Sequence, residues 1–190
     1  MRTHGRQALQ RFVMDLPAYR TERLLLRPCA TSDIPSMIEL HQDPDVMRFI
    51  GDIETDPDAV AEEIDGWIRQ PCSAGLGYWT VRPRDDRCRY LGWIMLLPLD
   101  DEGPEIEIAW RFAKAAWGHG FASEAASRIL RHGFDVVGLD EIVAVVDPAN
   151  RASIKLAERI GMKYVGTRTA YGERLSYYRV SPAGGRRWRG

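Results

Sequence analysis

The chain has 190 residues, 45% hydrophobic and 28% charged, enough for one domain with its own core and too few for two of ordinary size. A formal net charge of −1 gives no global electrostatic case for nucleic acid or an anionic membrane. No apolar run approaches the ~18 residues of a membrane helix and no compact apolar segment opens the chain, so no membrane partner and a cytoplasmic location are the expectations.

Residues 1–20 carry Arg2, Arg6, Arg11 and Arg20 around a weakly amphipathic "ALQRFVMDL" and are expected to form an N-terminal arm. The body of the domain is placed at 21–181. "TERLLLRP", Thr21 to Pro28, is an apolar run stopped by proline and predicts a first strand. A helix follows, with Thr31 or Ser32 as N-cap and Ile34, Met37, Ile38 and Leu40 near helical spacing, until Asp43 and Pro44 break or bend it. Asp56 to Arg69 predicts a second helix, because Pro57 suits a first turn and Val60, Ile64, Trp67 and Ile68 share one face.

"GLGYWTVRP" and "CRYLGWIMLLP" flank the polar "RPRDDR" and predict an antiparallel pair. "EIEIAWRF", Glu105 to Phe112, alternates charged with apolar residues as a strand does. Ser123 to Phe134 reads as a helix, "EIVAVVD" as a strand, "NRASIKLAERIGM" as a capped helix ending at Gly161, and "KYVGTRTAY" and "ERLSYYRV" as two last strands. Residues 182–190 form a basic flexible tail; "GGRRWRG" has the chemistry to stack on bases or hold phosphate, but as a short chain end it is expected to be disordered. Cys29, Cys72 and Cys88 are odd in number and lack a CxxC pair, which predicts reduced thiols and no metal site. The order of elements implies one α+β domain, a partly antiparallel sheet with helices packed on it.

The stretch "AWGHGFASEA", Ala116 to Ala125, places two glycines at a bend between a strand and a helix. A glycine lets a ligand approach the backbone, and a helix start offers unpaired N–H groups and the positive end of the dipole. An anion site is the natural reading. No GxxxxGK[ST] run exists, and the third glycine of a dinucleotide-binding GxGxxG is replaced by Ser123, so both familiar nucleotide loops are disfavoured.

The loop resembles the acyl-CoA loop of the GNAT superfamily of N-acetyltransferases, with Trp117 where the family's Gln or Arg stands. It is similar in particular to the RimJ/RimL-type branch that acetylates ribosomal-protein N-termini, where a "WGxGxAxEA" form is usual. "TERLLLRP", "DPDVMRFIG", "EIAW" and "NRASIKLAERIGM" extend the resemblance, in family order, over roughly Thr21 to Val180. It implies the GNAT fold, a mixed, mostly antiparallel sheet of six to seven strands flanked by about four helices.

The resemblance further implies acetyl-CoA as co-substrate, its pyrophosphate held by the loop of Trp117, Gly118, His119, Gly120, Phe121, Ala122 and Ser123. Phe112 and the adjoining backbone would pair with pantetheine, and Asn150 and Ser153 would lie along the CoA arm, although an Asn after "DP" is also an ordinary N-cap. Glu107 falls where the family often places a glutamate base, and Glu105, two residues away on the same strand face, is the reserve. The tyrosine that many members use as general acid is replaced by Ala157, which leaves Ser153 or water to protonate the thiolate.

The activity implied is direct transfer of acetyl to a primary amine, of a protein N-terminus or a small molecule, in a ternary complex without an acyl-enzyme. A homodimer is the assembly to test, and no metal is expected. The alternative is a non-catalytic acyl-CoA-binding regulatory module of the same fold. A nucleic-acid-associated protein is a third reading, resting only on the Arg-rich ends.

Overall fold

The computed structural model describes residues 16–182, apart from 52, 53, 71, 74 and 102. The expected arm is therefore outside the described residues at 1–15, and the basic tail at 183–190. Residues 16–20 are described and lie on the sheet. Tyr19–Arg20 forms β1, and the Pro17 carbonyl accepts from Trp79 Nε1 at 2.9 Å.

Eight strands form one sheet: β1, β2 (Leu24–Pro28), β3 (Gly77–Pro83), β4 (Gly92–Pro98), β5 (Ile106–Phe112), β6 (Ile142–Val146), β7 (Lys163–Ala170) and β8 (Glu173–Val180). Five α-helices accompany them among the described residues: α1 (Ile34–Gln42), α2 (Pro44–Met47), α3 (Pro57–Arg69), α4 (Phe121–His132) and α5 (Arg151–Arg159). The sequence predicts one strand and one helix fewer. The additional strand is the two-residue β1, too short to show alternation. The additional helix is a single turn that Asp43 caps through the Asp45 amide and Pro44 opens, so the expected break restarts a helix.

The spatial order is β1-β2-β3-β4-β5-β6-β8-β7, antiparallel throughout except between β5 and β6. Register places Leu26 opposite Val81, Trp79 opposite Ile94 and Ile94 opposite Trp110. Strand alternation then sends Leu24, Leu26, Trp79, Val81, Ile94, Leu96, Ile108 and Phe112 to one face, all buried. The apolar stripe of α4, with Ala125, Ala126 and Ile129 fully buried, packs on β2, β4 and β5, while α5 packs on β6 and β7.

The opposite face carries Tyr78, Thr80, Trp93, Arg111 and Glu107, and α1 and α3 cover it. Trp67 of α3 stacks on Tyr78 at 6.0 Å, and His41 of α1 meets Arg111 Nη1 at 3.3 Å. Asp33, expected to lie inside the first helix, instead ends a short 3-10 turn ahead of α1. Its carboxylate is drawn inward to Arg27 (2.6 Å), Arg82 (3.0 Å), the Thr80 hydroxyl (2.8 Å) and the Ala30 amide (3.0 Å). This cluster, with Asp33 itself fully buried, ties the start of α1 to β2 and β3, which explains why the helix begins after Asp33 and not at Thr31 or Ser32.

Candidate active site

The site begins where the parallel pair parts. Glu107 and Val143 are in register, and among the described residues no later pair joins β5 to β6. Ala109 to Phe112 keep their β4 partners, Met95 to Gly92, on one edge only. The Arg111 carbonyl lies against Gly92 on that edge, so alternation turns the Trp110 and Phe112 peptide groups toward the opening. The Phe112 carbonyl is already engaged there, accepting from Trp117 Nε1 at 2.8 Å.

Trp117, Gly118, His119 and Gly120 follow the strand and lead into α4. Gly118 and Gly120 have φ of +78° and +79°, a region closed to most L residues. A Cβ at Gly118 would meet nothing within 4 Å, and one at Gly120 only Arg23 Nη2 at 3.4 Å, so the outer side of the loop is open backbone. Behind it α4 starts at Phe121, with Ala122 and Ser123 in its first turn, earlier than the expected Ser123 because Gly120 serves as N-cap. Open glycines at a helix start fit a phosphate group, which would meet amides and the dipole's positive end. The exposed His119 ring stacks on Phe121 at 5.6 Å instead of pointing along the helix.

An unforeseen contact fixes this loop. Glu124 of α4 accepts from the Thr21 hydroxyl (2.5 Å), the Arg23 amide (2.9 Å) and Arg23 Nε (2.7 Å), while Arg23 Nη1 reaches the His119 carbonyl at 2.8 Å. Burial works against the Glu124 carboxylate, but these donors outweigh it and hold its pKa below the ordinary range. Arg23 thereby adds a cation at the start of α4. A surface groove of about 560 Å³ runs beside it, lined by Glu22, Arg23, Pro83, Arg84, Asp85 and Phe121; it touches the loop but none of the candidate catalytic residues.

Asn150 caps α5, its Oδ1 accepting from the Ser153 amide at 3.1 Å. Ser153 Oγ accepts from Trp110 Nε1 at 3.3 Å, which brings α5 to the open edge of β5. The two glutamates diverge. Glu105 is paired with Arg168 and accepts from the Tyr177 hydroxyl at 3.1 Å; Arg168 above all holds its carboxyl low, so it is committed as a carboxylate. Glu107 is only 2% exposed at the root of the opening, where Oε2 accepts from the Tyr171 hydroxyl at 2.6 Å and Oε1 lies 3.5 Å from the Val145 amide.

The sequence places Tyr171 to Tyr178 among the segments expected to build the acceptor pocket, but gives Tyr171 no catalytic or cofactor role. The available signal was "AYGE", a tyrosine and a glycine forming a two-residue turn between strands. Among the described residues no group of three or more His, Cys, Asp or Glu is arranged to hold a metal, and no helix is long and apolar enough to cross a membrane.

This geometry accords with the relatives. Residues 23–163 match the model of the acetyltransferase (GNAT) domain. YkkB of Bacillus subtilis (strain 168) is 31% identical over 160 residues, covering 83% of this chain and 92% of that protein. The FsC-acetyl coenzyme A-N(2)-transacetylase of Aspergillus fumigatus is 26% identical, covering 80% of this chain and 67% of its own. Among solved structures, a GNAT-family acetyltransferase from Bacillus anthracis superimposes with a TM-score of 0.72 at 25% identity, covering 87% of this chain and 98% of its own. Spermidine N-acetyltransferase from Vibrio cholerae, in complex with CoA and spermine, shares the fold with a TM-score of 0.70 at 18% identity, covering 87% and 99%. With a strand pair that parts beside an open glycine loop and a family match across most of its length, the chain belongs to the GNAT family and is an N-acetyltransferase.

Proposed function

We propose that the chain carries acetyl from acetyl-CoA to a primary amine by direct attack in a ternary complex, as a member of the RimJ/RimL-type branch. The observation that carries this reading is the placement of a buried carboxylate, Glu107, at the root of an opening whose far end runs into the glycine loop before α4. The backbone from Gly118 to Ala122 holds the pyrophosphate, and the open edge of β5 at Trp110 pairs with the pantetheine arm. Because the Phe112 carbonyl is bonded to Trp117, its amide is the group left for that pairing.

The amine attacks the thioester carbonyl, its proton passes to Glu107 directly or through water, and the CoA thiolate leaves with a proton from Ser153 or water. An α-amine of pKa ~7.8 gives up its proton at pH 7 for about 1.1 kcal/mol and a lysine of ~10.4 for about 4.6 kcal/mol, so the base matters more for the second. Glu107 suits the role better than Glu105, which Arg168 already engages.

Calorimetric titration with acetyl-CoA, followed by thiol release with a panel of peptide and small-molecule amines, tests the proposal. Binding and turnover in the wild type, with Glu107→Gln reduced about 10²-fold in kcat, is the expected result. Acetyl-CoA binding without turnover on any amine would favour a regulatory acyl-CoA module.

A further inference from the structure

Among the described residues two that are not glycine occupy the left-handed backbone region, Asp100 at φ +54° and Tyr171 at φ +53°. They meet at one oxygen. The Asp100 amide donates to the Tyr171 hydroxyl at 3.2 Å, and that hydroxyl donates to Glu107 Oε2 at 2.6 Å. Asp100 lies in the turn after β4, and Tyr171 in the turn between β7 and β8, so two separate connections converge on one carboxylate.

Tyr171 and Gly172 (φ +74°) are the central residues of a two-residue hairpin turn closed by Ala170 and Glu173. Such a turn requires positive φ at both positions, which Asn, Asp and Gly adopt most readily. A tyrosine stands there against backbone preference, its residue 48% exposed and its hydroxyl directed at Glu107. Backbone outliers that persist because their surroundings over-determine them concentrate at functional sites.

We infer that Tyr171, backed by the Asp100 amide, is a positioning residue for Glu107. The inference rests on the reading of Glu107 as the base. The phenol holds Oε2 and turns Oε1 toward the Val145 amide, on the β6 side where the strands part. A hydroxyl whose oxygen accepts from an amide is polarised and donates more strongly. Donation to a carboxylate favours its charged form, so loss of the phenol works against the form of Glu107 that can take a proton. Among the other charged groups on that face, Glu105 is bound to Arg168 and to the Tyr177 hydroxyl, and Arg179, in the same row as Glu107 and Val143, is bound to Glu141.

The test titrates Glu107 directly, by carbon-13 NMR of protein labelled at the glutamate carboxyl carbon, its resonance assigned by loss in Glu107→Gln. Tyr171→Phe removes the hydroxyl. Tyr171→Asn removes the whole phenol but suits the left-handed turn, so it secures the fold and melts no lower than wild type. The titration midpoint of Glu107 is expected to rise by about one pH unit in both variants. A midpoint unmoved in Tyr171→Asn overturns the inference and reduces Tyr171 to a hairpin residue. Undiminished turnover in Glu107→Gln would instead remove the base role, a separate failure that the titration does not share.

Discussion

The indole N–H of Trp110 donates to the Ser153 hydroxyl at 3.3 Å, joining the open edge of β5 to the first turn of α5 across the parted end of the sheet. A serine hydroxyl that accepts one hydrogen bond keeps its own proton to donate, and here that proton is available at the side of the opening. Ser153→Ala should cost about 1–2 kcal/mol of stability by leaving the indole unpaired, read as a lower urea midpoint. It should also lower kcat about tenfold if Ser153 protonates the leaving thiolate. Lost stability with an unchanged kcat would assign that proton to water.

The glycine loop separates two kinds of damage. Gly118→Ala forces an alanine into φ +78° with no clash, so about 1 kcal/mol of stability is lost for backbone reasons alone. Gly120→Glu also places a carboxylate at the start of α4, where a phosphate would sit. Calorimetry should find acetyl-CoA binding weakened severalfold in the first variant and abolished in the second. Equal binding in Gly120→Glu and wild type would move the pyrophosphate away from the loop.

Local features of this fold were legible in the sequence because they are written in neighbouring residues. The runs from Gly77 to Pro83 and Gly92 to Pro98, the Asp56–Pro57 start of α3 and the Asn150 cap of α5 all depend on spacing within a few positions. What escaped was made at a distance. Thr21 and Arg23 meet Glu124 about 100 positions away, and Tyr171 meets Glu107 across 64. The divergence of Glu105 from Glu107 has the same origin: the two are equivalent in alternation, and distant partners tell them apart, Arg168 and Tyr177 on the first and Tyr171 on the second. Residue type placed both glutamates on the list, but tertiary partners decide which is engaged elsewhere.

Thiol chemistry should be confined to the exposed cysteines. Burial pushes the Cys29 thiol up to about 12, and its Sγ lies 3.2 Å from the Thr80 hydroxyl, whose proton goes to Asp33. Cys72 and Cys88 are exposed. Iodoacetamide at pH 8 followed by peptide mass spectrometry should find Cys72 and Cys88 alkylated while Cys29 stays unmodified, because the thiolate is the reacting species. Cys29 labelled at the same rate would mean that β2 opens readily beside Asp33.

Acidification should destabilise the protein in two steps, and the signs can be worked out. His132 is fully buried, accepting at Nδ1 from the Tyr19 hydroxyl at 2.6 Å and donating from Nε2 to the Gly75 carbonyl at 2.6 Å. That arrangement uses the neutral ring, and burial, aided by Arg128, lowers its pKa although the Gly75 bond opposes this. The unfolded chain then binds more protons. Stability is fully present above the unfolded value of ~6.5 and is lost as pH falls below it. His41, lowered by burial and by Arg111, adds a contribution of the same sign.

Asp33 acts later. Burial raises its pKa, but Arg27, Thr80, the Ala30 amide and Arg82 together outweigh that and bring it below the ordinary value. Its stabilisation is present above ~3.9 and is lost as pH falls through the folded value. Urea midpoints of the wild type should therefore fall between pH 7.5 and 5.5 and fall again below pH 4. His132→Gln should flatten most of the first step and leave the second. Asp33→Asn should cost about 1–3 kcal/mol at neutral pH, because it removes the buried charge that the partly exposed Arg27 and Arg82 pair with, and should remove much of the second step. A wild type that gains stability between pH 7.5 and 5.5 would mean that His132 is charged in the fold, against the lone pair its Nδ1 offers the Tyr19 hydroxyl.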